Sequence, residues 1–119
     1  MTSRALSLIL LLLLCTPVSS QGDSDAELTR LISEAIRETS AIAAGMSRGD
    51  LMRVFTVEGG LSTRAQRTYV YRRCPYIKVD VEFEVDHLRD AQGRIPYPEA
   101  DDDVIRRISR PYLAWAVMD

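Results

Sequence analysis

The sequence predicts an α+β fold: two N-terminal helices packed on one face of a small antiparallel sheet of three to four strands. Three observations predict it. Between residues 28 and 55 apolar residues recur at three- and four-residue steps, the period of a helix. After Gly59-Gly60 the pattern changes, and from Ile77 to Val85 apolar and charged residues alternate strictly, the period of a strand with one dry face and one wet face. The only cysteine after residue 20 is Cys74, so no internal disulfide is available there and packing must hold the domain together.

The first twenty residues read as a signal peptide. Arg4 supplies a positive start, Leu6 to Leu14 form an almost unbroken apolar run, and Thr16-Pro17-Val18-Ser19-Ser20 provides small residues for cleavage after Ser20. The run is too short for a permanent membrane span. Cys15 raises lipid attachment, but Leu14 stands before it, where processing wants a small residue. Residues 1–20 are therefore expected to be removed and residues 21–119 to form a single domain, exported to the periplasm or the extracellular space rather than lipid-anchored in an outer membrane. The whole chain carries a formal net charge of −2. Nucleic-acid binding leans on basic patches, so no nucleic-acid partner is expected.

Ser24-Asp25-Ala26-Glu27 has the form of a capping box. Leu28, Leu31, Ile32, Ala35, Ile36, Thr39, Ile42 and Ala43 then make one stripe, with Arg30, Glu34, Arg37 and Glu38 opposite, so helix one is expected from about Asp25 to Ala44, ended by Gly45. The next five residues, Gly45-Met46-Ser47-Arg48-Gly49, match the G-x-S-x-G of a nucleophile elbow. That device needs a strand before its serine, and the preceding segment has helical period. It also needs a histidine partner, and the chain's one histidine is His87. Ser47 with Asp50 makes a second capping box, Met46 can staple onto Leu51, and Leu51, Val54 and Phe55 form the apolar side of helix two. Ser47 is predicted to start a helix.

Glu58-Gly59-Gly60 closes helix two. Arg67 to Arg73 is rich in β-branched and aromatic residues and reads as a strand, with a break at Cys74-Pro75-Tyr76 before the alternating strand from Ile77. Its short connection predicts a hairpin, with Val79, Val81 and Phe83 facing the helices and Lys78, Asp80, Glu82 and Glu84 in water. Leu88 to Asp103, with Gly93, Pro96, Pro98 and three consecutive aspartates, reads as a mobile loop. Val104 to Ser109 is a short third strand. The apolar tail from Tyr112 to Val117 is expected to dock as an extra edge strand or against the helices. Cys74 is expected to be a core thiol, with an intermolecular bridge as the alternative.

Three side-chain groups invite a chemical reading. Asp80, Glu82, Glu84 and Asp86 with Asp101 to Asp103 could hold a hard cation, but cross-strand pairing with Arg72, Arg73, Arg106 and Arg107 explains the pattern without one. His87 beside Asp86 could serve a small hydrolase as a general base, although no second catalytic group stands at a telling spacing. Tyr69, Tyr71, Tyr76, Tyr112 and Trp115 could form a partner-binding aromatic patch or pack within the sheet. The residues point to no catalytic group, metal or cofactor.

The stretch from Ile42 to Leu51, then Phe55, a tyrosine-containing hairpin, Val81-Glu82-Phe83 and Val104-Ile105-Arg106-Arg107-Ile108 resembles the BamE (SmpA/OmlA) domain, with its exported start, two helices joined at I-x-x-G-M-[ST] and three-stranded antiparallel sheet. The repeats of the β-lactamase inhibitor protein are similar in layout. The resemblance implies a non-catalytic protein-interaction module of the cell envelope, accessory to outer-membrane protein assembly, whose partner is another envelope or secreted protein. Membrane association would then be peripheral, through that partner. A secreted enzyme inhibitor using the open face of the sheet is the alternative it suggests. The chain departs from the family in lacking a good lipobox and in carrying Glu58-Gly59-Gly60 where members usually have Gly-x-Pro.

Overall fold

A computed structural model describes residues 20–115. The fold is α+β, in the order α1 (Ser20–Ser40), α2 (Arg48–Val54), β1 (Phe55–Val57), β2 (Gln66–Tyr71), β3 (Cys74–Phe83), β4 (Ile105–Ile108) and β5 (Tyr112–Leu113), with a 3-10 turn at Asp86–Leu88. The expected leader and Cys15 lie outside the described residues, Ser20 excepted. No described helix is long and apolar enough to cross a membrane.

The chain divides between Ile32 and Ser33 into two compact units. The described part of the first is helix. Ser24 lies inside α1 and its hydroxyl donates to the Gln21 carbonyl at 3.0 Å, so it is an interior residue and not the expected cap. Leu28, Leu31 and Ile32 are exposed, between 41% and 57%.

The second unit holds the core. Here α1 ends at Ser40, short of the expected Ala44, because Ile42 must turn inward and is buried. Ala35, Thr39 and Ile42 face the core, whereas Ile36 is exposed. The two-helix layer is only partly realised within this unit: Ile36, expected to be covered by the dry face of the sheet, is exposed. Other groups pack against that face: Leu51 and Met52 of α2, Met46, and Leu88 and Ile95 of the long loop.

Helix α2 is shorter than its apolar pattern suggests. Phe55, Thr56 and Val57 leave it as β1, pairing antiparallel with Tyr71, Val70 and Tyr69. No sequence signal marks this strand, since a three-residue segment is too short to be told from a helix end by periodicity. Strands β2 and β3 form the expected hairpin, turned at Arg72-Arg73, so that β3 starts at Cys74 and includes the expected break. On its other edge β3 pairs with β4 through Val81, Glu82 and Phe83, then with β5 through Ile77 and Lys78. The tail thus docks as an edge strand as far as it is described.

Strict alternation sets the two faces. Val79, Val81 and Phe83 are buried with Phe55, Tyr69, Tyr71 and Ile105, while Asp80 and Glu84 are exposed and Glu82 half-buried. A one-residue slip would reverse this and bury carboxylates, which fixes the register. Burying Phe83 in place of leaving it exposed contributes about 1.5–3 kcal/mol.

Candidate functional site

The segment Gly45 to Gly49 lies beside the start of β4. Gly45 N–H donates to the Ile105 carbonyl, Arg48 N–H to that of Asp103 and Gly49 N–H to that of Asp101, at 2.8, 2.8 and 2.9 Å. Gly45 takes φ +89° to make the turn, and a Cβ on Gly49 would stand 3.4 Å from the Asp101 carbonyl oxygen. Both glycines of the motif thus serve the backbone. Ser47 is the N-cap of α2: its Oγ accepts from Asp50 N–H at 3.1 Å, and Asp50 Oδ2 accepts from Ser47 N–H at 3.2 Å. The Ser47 hydroxyl also donates to Asp50 Oδ2 at 3.0 Å, and these bonds lower the Asp50 carboxyl below its ordinary range. This reciprocal arrangement satisfies donors that a helix start leaves unpaired.

The next residue, Arg48, is only 3% exposed. Its guanidinium lies 3.7 Å from the centre of the Phe83 ring and donates to Asp103 Oδ2 at 3.0 Å, Tyr69 Oη at 2.5 Å and the Arg64 carbonyl at 2.8 Å. Arg64 reaches the other oxygen of Asp103 at 2.7 Å. Glu99 stands 2.8 Å from Arg67 and 3.5 Å from Arg48. Burial pushes the Asp103 carboxyl up, but hydrogen bonds from Arg64, the Ala100 N–H and Arg48 outweigh it and hold the group at about 2. Burial likewise pushes the Tyr69 phenol up, partly offset by Arg48. The aspartate run expected in a mobile loop, and weighed as cation ligands, therefore ends in a buried ion pair that closes the loop onto the dry side of the sheet.

Tyr69 and Tyr71 belong to the core, so they drop out of the expected recognition patch. Tyr69 packs edge-on to Phe83, and Tyr71 edge-on to Phe55 while its hydroxyl donates to Glu38 at 2.5 Å. Their odd positions in β2 pair them with the dry face of β1 and β3, where aromatic bulk is needed. Tyr76, Tyr112 and Trp115 remain on the surface, at 48%, 38% and 87% exposure. Tyr76 and Trp115 meet edge to face, with ring centres 6.0 Å apart.

These residues border the open face of the sheet. On it, Val70, Lys78 and Tyr112 stand in one row, Thr68 and Asp80 in the next, and Gln66, Glu82 and Arg107 in the third. Lys78, expected in water, is buried at 4% exposure. Its ammonium pairs with Glu58 and donates to the Trp115 carbonyl, so the tail folds over the lysine stem. Glu82 pairs with Arg107. Thr68 Oγ1 and Tyr112 Oη both donate to Asp80 Oδ1, at 2.7 and 3.0 Å. Burial pushes the Tyr112 phenol up, and the bond to Asp80 adds to it. Two shallow clefts of about 300 and 360 Å³ adjoin along this face, sharing Gln66 and Asp80; Leu61 and Thr63 line one, and Ile108 and Ser109 the other.

Elsewhere, Arg106 and Arg89 both bond Asp86, at 2.6 and 3.0 Å, and lower its carboxyl. Both oxygens are thereby engaged by arginines beside an exposed His87. The expected cross-strand pairing holds for Arg107 with Glu82; Arg106 pairs with Asp86 of the 3-10 turn, Arg73 reaches Glu34 and Glu38, and Arg72 the Met52 carbonyl. Among the described residues no group of three or more His, Cys, Asp and Glu side chains is placed to hold a metal ion. Cys74 is a free thiol, half-buried against the core.

No protein-family model matches the chain, and no curated protein or solved structure matches it. The polar groups that sequence reasoning missed are Arg48, Lys78 and their partners. Arg48 had one signal: it stands three residues before Leu51, on the buried side of α2.

Proposed function

We propose that this chain is an exported, non-catalytic protein-interaction module of the cell envelope, of the BamE-like kind, which receives another envelope or secreted protein on the open face of its sheet. One observation carries the reading: Tyr76, Tyr112 and Trp115 stand exposed together at the β3–β5 end of the open sheet face. Aromatic side chains are enriched at protein interfaces, where they supply large rigid contact area. The edge-to-face contact of Tyr76 with Trp115 supports the same reading, because it orders the pair before a partner arrives and reduces the entropy lost on binding. A secreted enzyme inhibitor would use this same face and differs only in its partner.

The test is capture from envelope extract with the tagged chain beginning at Gln21, compared with Tyr76→Ala and Trp115→Ser. A specific partner is expected with the unsubstituted chain and its loss with both variants. Equal recovery of that partner by all three proteins would refute the open-face reading. Recovery of nothing above control would refute the binding-module reading itself.

A further inference from the structure

Four charged side chains on the open face are already matched: Lys78 with Glu58, and Arg107 with Glu82. Asp80 lies between these pairs and is exposed, yet no cation among the described residues pairs with it. The nearest lysine along the strand is two residues away on the same face, and it is held by Glu58 and the Trp115 carbonyl instead. Arg67, beside Thr68, is held by Glu99. Meanwhile Thr68 and Tyr112 both donate to Oδ1 of Asp80, and the strand is pinned there by Asp80 N–H to Ser109 Oγ and Ser109 N–H to the Asp80 carbonyl, both at 2.9 Å. One carboxylate oxygen is thereby held by hydroxyls from two neighbouring strands, while Oδ2 receives no hydrogen bond from the described residues. The group borders both clefts of the face.

We infer that Asp80 is the anchor for a basic side chain, lysine or arginine, of the partner protein that docks on the open face. The inference deepens the reading above and rests on it. Charge complementarity supports this occupant: the six charged groups Glu58, Lys78, Asp80, Glu82, Glu84 and Arg107 carry two excess negative charges, on Asp80 and Glu84, and of these only Asp80 is fixed by hydroxyls and borders the clefts. Hydrogen bonds to a charged partner are shorter and stronger than neutral ones, and an anion already fixed in place loses little freedom on pairing. Tyr76 lies four residues along β3 on the same face, about 13 Å away at 3.3 Å per residue. A partner segment can therefore set its basic residue on Asp80 and an apolar residue against Tyr76 and Trp115.

The experiment is a ¹H–¹⁵N NMR titration of the mature chain with N-acetyl-arginine amide, N-acetyl-lysine amide and the uncharged N-acetyl-citrulline amide. Both basic probes should shift the amides of Gln66, Thr68, Asp80 and Tyr112. The citrulline probe should leave them in place, and added salt should weaken the effect through screening. Asp80→Asn retains an oxygen for the two hydroxyls and should abolish the shifts, whereas Glu84→Gln, at an exposed carboxylate, should keep them. Equal shifts with citrulline, shifts that survive Asp80→Asn, or no shifts with either basic probe would overturn the inference. Envelope capture separates the two ideas: a partner lost with Tyr76→Ala but retained with Asp80→Asn leaves the open-face reading standing and removes Asp80 as its anchor.

Discussion

Asp103→Asn keeps the size of the side chain and removes its charge, leaving Arg48 and Arg64 without the counter-ion they share. Asp103 and Arg48 have side chains only 4% and 3% exposed, so water cannot readily take the place of the lost charge. Removing one partner of a buried pair typically costs about 3–5 kcal/mol. Titration gives an independent scale: the Asp103 carboxyl is held at about 2 against an ordinary value of 3.8. At about 1.4 kcal/mol per unit, folding favours the charged form by roughly 2–3 kcal/mol. Because the folded value is the lower one, this stability is present above the unfolded value and is lost as pH falls through the folded value. Urea unfolding followed by far-UV circular dichroism measures it, since Trp115 is 87% exposed and reports poorly on burial. At neutral pH the variant should be less stable by about 3 kcal/mol. The difference from the parent should shrink as pH falls from about 4 to about 2. A neutral-pH difference below about 1 kcal/mol, no more than a surface pair contributes, would refute the reasoning. So would a difference that stays constant through the acid range.

Ser47→Ala should lower stability by about 0.5–2 kcal/mol in the same assay, and Ser47→Asp should retain most of it. A fluorophosphonate probe should leave Ser47 unlabelled, and covalent labelling would overturn its assignment as a cap. On β3, Phe83→Ala should cost about 3–5 kcal/mol, whereas Glu82→Ala, which loses a surface pair, should cost no more than about 1 kcal/mol. Equal thermal melts for these two variants would contradict the register.

Much of the fold is legible because β3 states its faces by alternation and Ser47-Asp50 states a helix start by composition. Both signals are local. Lys78 shows where locality fails: alternation places it correctly on the open face, but cannot reveal that Glu58 and the tail cover it. Tyr69 and Tyr71 fail in the same way, since an aromatic residue in a strand suits a core or an interface equally well. Ile36 reads as core because it continues an apolar stripe, yet apolarity does not say whether a surface is left to receive it. Of the expected patch, Tyr76, Tyr112 and Trp115 stay at the surface. Asp80 stands out in the sequence only as one carboxylate among several, and which of them lacks a cation depends on pairings between distant strands.

The junction between the helices also constrains the order of events during synthesis. Arg48 finds its counter-ion 55 residues later, at Asp103, and the backbone of Gly45 to Gly49 finds its partners between Asp101 and Ile105. A nascent chain that has emerged only as far as β3 can form the hairpin, but sealing Arg48 against Phe83 would then bury a charge with no carboxylate to meet it. Such closure is penalised until Asp103 arrives, and contacts so far apart in sequence are slow to form. Sealing this side of the core therefore depends on the segment from Asp101 to Ile105, which reaches the helix junction only after the hairpin has been made.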